Sequence, residues 1–317
     1  MAPLSAVTTL TLNPALDTVT SIDRVSPTHK MRCGATQTHP GGGGVNVARV
    51  TQRLGIPTHA VILAGGLTGQ RLRDLLREEG VDAIYAPCES ETRTALSVRE
   101  TETGQDYRFT LPMARVTEAE YRGAIQQFQR HAMGQRLAVV SGSLPDGAPP
   151  DAYGELAWWA KANGIQLVLD SSGDALAAAL QAGVYLFKPS LRELSAWAGE
   201  DLRTQAQWRA AARRCIASGQ AHAVALTLGE DGADLIFEDR AWRAPALPVE
   251  ARTTVGAGDS FVGGLVAALV RDASWPQAMR WAMAASAAAL LAPGTALCQP
   301  ADVQRLLAQV QLSESVG

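Results

Sequence analysis

The chain has 317 residues, of which 47% are hydrophobic and 19% are charged. This balance excludes an intrinsically disordered protein and allows a large buried core. The formal net charge is −3, from 28 Lys and Arg against 31 Asp and Glu, so no global positive field would recruit nucleic acid or an anionic membrane. We therefore expect no nucleic-acid partner and no membrane association.

The thiols, histidines and apolar runs indicate a cytoplasmic protein without structural zinc. The scattered cysteines are Cys33, Cys88, Cys215 and Cys298. They form no C-x-x-C pair, and a chain that can build its own core needs no disulfide framework, so we expect reduced thiols. The five histidines form no zinc pattern. The longest apolar run, 282–291, is well short of the ~20 residues that cross a bilayer, and the N-terminus lacks the basic region of a signal peptide.

Strand and helix patterns alternate along most of the chain. In chain order, the periodicity predicts strand 7–12, helix 45–54, strand 59–63, helices 70–79 and 117–131, strand 137–140, helix 151–163, strand 165–169, helix 174–181, strand 184–187, helices 191–198 and 205–218, strand 223–228, and helices 259–271, 275–291 and 301–310. Such alternation is typical of βαβ units in an α/β fold. We therefore predict a mostly parallel sheet with helices on both faces.

Two stretches, 16–40 and 94–111, lack the helical period. In the second, strands at 95–98 and 107–109 flank a turn at 102–105, which predicts a hairpin. Strand-only segments inside an α/β chain predict a small β-sheet that stands off the main layer, as a lid or a dimer surface. Because no repeat or linker is present, we predict a single domain over 1–317, with lid segments at about 14–40 and 92–112.

A glycine-rich turn at 253–258 runs directly into a predicted helix that begins at Asp259. The free N–H groups and the positive dipole end of a helix start form a natural phosphate site. Two roles for Asp259 stay open: an N-cap, or a general base that takes a proton from an attacking hydroxyl beside bound phosphates. The small residues Gly256, Ala257 and Gly258 favour the second role because they let backbone approach a ligand.

Four consecutive glycines, Gly41 to Gly44, form a second turn into a helix. The turn lacks the third glycine of the dinucleotide fingerprint and the Gly-Lys-Ser/Thr of a Walker A loop, which disfavours a dinucleotide-dependent oxidoreductase. A plain turn is one interpretation. Since each glycine costs about 0.5–1 kcal/mol relative to alanine, the other interpretation is that a ligand lies against this backbone, with the Asn46 amide available to hydroxyls.

Polar groups also follow several predicted strands, where open α/β sheets bind ligands. Ser190-x-x-Glu193 is a capping box, so Glu193 is either a helix cap or an acidic group near a metal–phosphate complex, with Lys188 near the phosphates. Arg93 and Arg108, near or on the hairpin, are ordinarily solvated, but they would bind phosphate as bidentate forks if both faced one anion. Further strand-end groups are 13–17, 141–145 and 227–232.

Taken together, these motifs resemble the ribokinase-like sugar kinases, and within them the phosphofructokinase B group. The likeness covers nearly the whole chain in the family's order. Its motifs are 13–17, 41–46, 107–109, 141–145, 170–173, 188–189 and 256–259. The runs 41–49 and 294–298 are most similar to those of the minor bacterial 6-phosphofructokinases.

The resemblance implies a three-layer α/β/α sandwich with a small β-sheet lid that often pairs in a homodimer. It implies phosphoryl transfer from Mg·ATP to a phosphorylated ketohexose, namely to the C1 hydroxyl of fructose 6-phosphate to give fructose 1,6-bisphosphate. Asp259 would be the catalytic base, and Gly256, Ala257 and Gly258 the hole that stabilises charge. The other implied contacts are Asp17, Gly42, Gly43 and Asn46 to sugar hydroxyls; Arg93, Arg108, Ser143 and, from a partner's lid, Lys30 to the sugar phosphate; Lys188, Ser190, Thr227, Gly229 and Gly232 to the nucleotide; and Glu193 to Mg²⁺.

The chain departs from the family pattern at two places. Ser190 replaces the usual asparagine of Lys-Pro-Asn-x-x-Glu, which shortens a polar arm near the phosphates. Segment 292–296 lacks an Asn and an Arg of the similar subgroup, and backbone carbonyls there are the implied route to a K⁺ site. Three alternatives stay open: 1-phosphofructokinase, tagatose-6-phosphate kinase, and, from a different class, a non-catalytic sugar-phosphate sensor.

Overall fold

The computed structural model describes residues 5–112 and 115–316. Its strands are β1 (Val7–Thr11), β2 (Ala15–Ile22), β3 (Gln37–Gly41), β4 (Thr58–Ala64), β5 (Asp82–Pro87), β6 (Arg93–Glu100), β7 (Asp106–Thr110), β8 (Leu137–Ser141), β9 (Gln166–Asp170), β10 (Val184–Phe187), β11 (Ala221–Thr227), β12 (Ala233–Ile236), β13 (Arg240–Ala244) and β14 (Ser313–Val316). Its α-helices are α1 (Gly43–Arg53), α2 (Gly66–Glu78), α3 (Glu118–Ala132), α4 (Ala152–Ala162), α5 (Gly173–Ala182), α6 (Leu191–Ala198), α7 (Gln205–Ala217), α8 (Ala257–Val270), α9 (Trp275–Leu291) and α10 (Pro300–Leu307).

The main sheet has ten strands in the order β14-β13-β12-β11-β10-β9-β8-β1-β4-β5. Every neighbouring pair from β11 to β5 is parallel, while β12, β13 and β14 extend one edge in antiparallel pairs. Helices α3 to α7 bury their apolar faces on one side of the sheet, and α1, α2 and α8 to α10 on the other. The predicted three-layer α/β sandwich is confirmed.

Four strands of the main sheet are absent from the sequence prediction: β5, β12, β13 and β14. The segment of β5 ends in a proline, and β12 and β14 have only four residues each. Such short segments carry little local strand signal, since strand preference depends strongly on the neighbouring strand. Pairing with a formed sheet edge therefore decides their structure.

A second sheet of four strands, in the order β3-β2-β6-β7, is called the lid sheet below. Its central pair, β2 and β6, is parallel, and the outer pairs are antiparallel. The register sets Asp17 between His39 on β3 and Ala95 on β6. The same sheet carries Arg93 at the start of β6 and Arg108 on β7.

The apolar run 282–291 belongs to α9, which packs closely on α8. A Cβ added at Gly264 of α8 would lie 2.5 Å from the backbone oxygen of Trp281, so this glycine allows the two helices to approach each other. Within the described residues, no helix is both long and apolar enough to traverse a membrane.

Candidate active site

The candidate site lies at the carboxyl edge of the main sheet, where neighbouring parallel strands end together. Ser141 ends β8, Asp170 ends β9, Lys188 follows β10 and Thr227 ends β11. This edge is where open α/β sheets bind ligands. The N-termini of α1 and α8 meet there as well, because Asn46 of α1 touches Asp259 of α8.

Helix α8 presents free backbone amides at its start. Its N-cap is Gly256, which adopts the left-handed conformation with φ 79°, and Ser260 donates the first intrahelical hydrogen bond to the Gly256 oxygen at 2.8 Å. Ala257, Gly258 and Asp259 precede that bond, so their N–H groups face outward at the positive dipole end. Asp259 is the third residue of the helix, and the prediction of an N-cap role for it is therefore wrong.

The carboxylate of Asp259 is partly buried and touches the first turn of α1. Nδ2 of Asn46 donates a hydrogen bond of 2.8 Å to its Oδ2. Burial, and then the neighbouring charge of Asp170, raise the pKa of Asp259 to about 6, whereas the Asn46 hydrogen bond and Lys188 act in the opposite direction. A carboxylate with a pKa near 6 is well matched to general-base catalysis at neutral pH.

Lys188 and Asp170 form a buried ion pair next to the α8 turn. Nζ of Lys188 lies 2.9 Å from Oδ1 of Asp170. A Cβ added at Gly258 would lie 3.4 Å from the same Nζ, so the ammonium group reaches the start of α8. The sequence prediction omitted Asp170 from the site, although it comes directly after the predicted strand 165–169. Its place at a strand end was the signal that could have identified it.

Asp17 and two arginines of the lid sheet are electrostatic neighbours. Asp17 is only 3% exposed, and among the described residues its Oδ1 has no hydrogen-bond partner. Burial raises its pKa, and the positive charges of Arg108, Arg49 and Arg93 oppose that rise. Burial lowers the pKa of Arg93, and the nearby charge of Arg108 acts in the same direction, whereas Asp17 opposes it. Both arginines therefore lie close enough to Asp17 to act on its charge, Arg93 as a half-buried residue and Arg108 as an exposed one.

A short chain of hydrogen bonds connects the lid sheet to the loop after β8. Nε of Arg93 donates to Oδ1 of Asn13 at 2.9 Å, and Nδ2 of Asn13 donates to Oγ of Ser143 at 3.1 Å. Three residues from separate sequence motifs, Arg93, Asn13 and Ser143, therefore adjoin. Lys30 lies apart from these residues. It is exposed in the loop between β2 and β3, and it forms no ion pair with any residue of 5–112 and 115–316.

The four-glycine turn has a packing reason at each position. An added Cβ would lie 2.5 Å from the Asp17 carboxylate at Gly41, 2.9 Å from Thr11 at Gly42, 2.2 Å from Ser141 Oγ at Gly43 and 2.4 Å from the Leu10 oxygen at Gly44. Gly42 also has φ 110°, a conformation that side chains disfavour. The glycines thus let the turn into α1 pack directly against β1, β2 and β8, and their cost needs no bound ligand to explain it.

A cavity of about 770 Å³ lies beside the start of α8. Its polar edge contains the predicted nucleotide residues Ser190, Thr227, Gly229 and Gly232, together with Ala257 and Gly258. Its apolar wall, which the sequence prediction missed, consists of Leu247, Val249, Phe261, Met283 and Leu290. The volume lies within the range of small-molecule sites. Apolar residues of this kind carry no motif, because core residues look the same in sequence.

Glu193 caps α6. Its Oε2 accepts hydrogen bonds from the backbone N–H and the hydroxyl of Ser190, at 2.7 and 2.8 Å, and Ser190 Oγ accepts from the Glu193 N–H. The helix-cap interpretation is thus realised, while Oε1 has no hydrogen-bond partner among the described residues.

Comparison with known proteins identifies the family. The sequence model described as "pfkB family carbohydrate kinase" matches residues 10–302. The chain belongs to this family. Among curated members of the pfkB family, it is 40% identical to the ATP-dependent 6-phosphofructokinase isozyme 2 of Mycobacterium tuberculosis, over 98% of this chain and 91% of the relative. It is 39% identical to the isozyme 2 of Escherichia coli K12, over 95% and 97%, and 31% identical to the 1-phosphofructokinase of that strain, over 96% and 97%.

Solved structures agree with this membership. The structure of phosphofructokinase-2 from Escherichia coli in complex with fructose-6-phosphate superposes with a TM-score of 0.90 at 37% identity, covering 96% of this chain and 99% of the other. The potassium complex of phosphofructokinase-2 from Escherichia coli gives a TM-score of 0.92 at 38% identity, with coverages of 96% and 99%. The predicted family is therefore confirmed.

Proposed function

We propose that this pfkB-family kinase phosphorylates fructose 6-phosphate at its C1 hydroxyl with ATP, giving fructose 1,6-bisphosphate. The observation that carries the proposal is the Asp259 carboxylate at the N-terminus of α8, with a pKa of about 6. The 770 Å³ cavity reaches Gly258 on one side of it, and Asn46 touches it on the other. The higher identity to 6-phosphofructokinases than to 1-phosphofructokinases supports this choice of sugar.

In the proposed reaction, Asp259 accepts the proton of the C1 hydroxyl while the oxygen of that hydroxyl attacks the γ-phosphorus of ATP. A new bond forms between the γ-phosphorus and the C1 oxygen. The bond between the γ-phosphorus and the β,γ-bridging oxygen breaks, and ADP leaves with that oxygen. The free amides of Ala257 to Asp259 and the dipole of α8 stabilise negative charge on the transferred group. Lys188, held by Asp170 at 2.9 Å, adds a positive charge at the same place.

On the sugar side, we assign Asp17, Gly42, Gly43 and Asn46 to the hydroxyls. Arg93, Arg108 and Ser143 are assigned to the 6-phosphate because both arginines act on the charge of Asp17 and on each other and Asn13 connects Arg93 to Ser143. Lys30 is assigned to the sugar phosphate that is bound in the other subunit of a dimer.

The proposed homodimer pairs two lid sheets. Leu96 of β6 lies opposite Phe109 of β7, and both side chains are exposed, at 38% and 54%. Exposed apolar residues that cluster on one sheet face are typical of an interaction surface. Sedimentation of Phe109→Glu tests this assignment: a monomeric variant supports it, and an unchanged mass contradicts it.

ATP is assigned to the 770 Å³ cavity, with its phosphates toward Lys188 and the α8 turn. Within the described residues, no group of three or more His, Cys, Asp or Glu could hold a metal, so Mg²⁺ would arrive with the phosphates and need only one or two carboxylates. Glu193 and Asp170 would hold it, and the ion would neutralise charge on the phosphates.

We extend the proposal to K⁺ beside segment 292–296, since a similar protein was solved with potassium. We assign the reaction to the cytoplasm, where the four free cysteines stay reduced.

An assay of ADP release tests the proposed substrate. The purified chain is given MgATP with fructose 6-phosphate, fructose 1-phosphate, tagatose 6-phosphate or unphosphorylated fructose. We expect the highest kcat/KM with fructose 6-phosphate. Preference for fructose 1-phosphate would make the chain a 1-phosphofructokinase, and ADP release with none of the sugars would favour a sugar-phosphate sensor.

A further inference from the structure

A completely buried arginine contacts Asn46, the residue that donates a hydrogen bond to the candidate base. Arg49 is on α1, one turn after Asn46, and is 0% exposed. Its Nε and Nη2 donate to Glu79 at 2.9 and 2.7 Å. Its Nη1 donates to the Pro40 oxygen at 2.8 Å and to the Thr295 oxygen at 3.2 Å. The same Nη1 also donates to Oδ1 of Asn46 at 3.2 Å.

The contact with Asn46 determines which way its amide points. A guanidinium group has only donors, so the group that faces it must be the amide oxygen. The amide NH₂ of Asn46 then faces the opposite direction, toward Oδ2 of Asp259 at 2.8 Å. If the amide were flipped, its oxygen would face the carboxylate, an arrangement that repels the ionised acid and suits only the protonated one.

We propose that Arg49, anchored by Glu79, is a positioning residue that holds the Asn46 amide with its NH₂ toward Asp259 and thereby favours the ionised base. The inference rests on the proposed role of Asp259. It adds a chain of contacts, Glu79 to Arg49 to Asn46 to Asp259, that runs from the end of α2 to the start of α8. Glu79 lies outside the sequence motifs, and Arg49, the last residue of the run 41–49, was given no role by them.

Other charged groups also face these two residues. Asp170, Lys188 and Asp17 act on the charge of Asp259. Glu79, Arg53 and Asp17 act on the charge of Arg49, and His39 lies nearby, with its pKa lowered by burial and then by the charge of Arg49. Removing Arg49 would thus also remove a positive charge from the neighbourhood. The test must separate that general electrostatic effect from the orientation of one amide.

Arg53 offers a matched control one turn further along α1. It donates to the same Glu79 carboxylate at 2.7 Å and to the Ala296 and Cys298 oxygens at 2.5 and 3.3 Å. It has no contact with Asn46 among the described residues. Arg49→Met and Arg53→Met each remove one positive charge and each leave the partly buried Glu79 carboxylate paired with the other arginine.

The experiment measures kcat/KM against pH with the sugar phosphate that supports ADP release, in both variants with and without Asn46→Ala. The phosphate of the substrate also titrates near pH 6, but identically for every variant. Arg49→Met should move the acidic midpoint up by about 0.4 to 1 pH unit, which is one ordinary hydrogen bond expressed as a pKa change. Arg53→Met should leave the midpoint in place. In the Asn46→Ala background, Arg49→Met should cause no further shift.

Three results would overturn the inference: an unmoved midpoint in Arg49→Met, an equal shift in Arg53→Met, or the same shift with and without the Asn46 side chain. Arg49→Lys keeps the charge and serves if Arg49→Met does not fold, with a smaller shift in the same direction expected. Asp259→Asn separates this inference from the proposed function. If kcat/KM still decreases at acidic pH in Asp259→Asn, the base assignment is contradicted. If that decrease is lost in Asp259→Asn but keeps its midpoint in Arg49→Met, only the role of Arg49 is contradicted.

Discussion

Nδ2 of Asn46 and Oδ2 of Asp259 are 2.8 Å apart although 213 positions separate the two residues in the chain. This contact joins the starts of α1 and α8, two helices on the same face of the main sheet. It sets the four-glycine turn, to which we assign sugar hydroxyls, against the candidate base.

Asp259→Asn should lower kcat by about 10² to 10⁴, since a positioned general base typically contributes that factor. In the unaltered chain, kcat/KM should fall as the pH drops below about 6, because burial raises the pKa of Asp259 to that value and only the ionised form accepts a proton. Steady-state ADP release from pH 5 to 9 measures both effects. Asp174→Asn, an exposed first-turn aspartate on α5, is the control and should be unaffected. Near-normal turnover in Asp259→Asn would contradict the assignment.

The same substitution should stabilise the fold at neutral pH. The folded-state pKa of Asp259 is raised from 3.8 to about 6, so folding penalises the ionised carboxyl and the free energy of unfolding falls as pH rises between those values. Above pH 6 the penalty is complete, and replacing the charge by a neutral amide should restore about 1–3 kcal/mol.

Urea unfolding at pH 8 and at pH 4 measures this change. The gain in Asp259→Asn should be large at pH 8 and should nearly disappear at pH 4, where the carboxyl is largely protonated in the folded chain. A variant that is less stable than the parent at pH 8 would show that the carboxylate is favourably bound.

Arg93→Ala and Arg108→Ala should each raise the KM for fructose 6-phosphate by about 10- to 100-fold, the worth of a hydrogen bond to a charged group. The KM for ATP should change little, because neither arginine lines the 770 Å³ cavity. Arg99→Ala is the matched control, since Arg99 lies on β6 with Arg93 but pairs with Asp106 at 3.0 Å. A comparable loss in Arg99→Ala would indicate a general disturbance of the lid sheet instead of a lost phosphate contact.

Gly256→Ala should reduce kcat by an order of magnitude or more and cost about 1–3 kcal/mol of stability. Gly256 has φ 79°, and an added Cβ would lie 2.4 Å from Cδ2 of Leu297, so the α8 turn must move. Gly80→Ala is the control: Gly80 has φ 71° but open space around it. Thermal melts and kcat are measured for both variants. Backbone strain should destabilise both, whereas displacement of the site should lower kcat only in Gly256→Ala. Equal effects on kcat would contradict the role given to the turn.

The fold was largely predictable because its signals are local. The periods of strands such as 137–140 and helices such as 205–218 lie within a few consecutive residues, and βαβ alternation then permits few topologies. Strands β12, β13 and β14 were missed for the opposite reason: four or five residues at a sheet edge become a strand only when a neighbour offers hydrogen bonds.

The candidate site was predictable where a motif ends a strand or begins a helix. The capping box of Ser190 and Glu193 appears as expected, and the turn before Asp259 begins a helix. The N-cap alternative for Asp259 was wrong, and only three-dimensional contacts correct it. Asp170 was within reach of the strand-end rule, whereas the apolar wall of the cavity, with Met283 and Leu290, carries no local mark.

The sequence by itself determined the α/β class, the order of the elements and the polar groups at the strand ends, because backbone periodicity and capping act over short separations. Tertiary structure alone decided that four glycines pack against β1, β2 and β8, that Arg49 turns the Asn46 amide, and that Asp259 has a pKa near 6. These properties depend on burial, amide orientation and charges from distant parts of the chain, and such quantities exist only after the chain has folded.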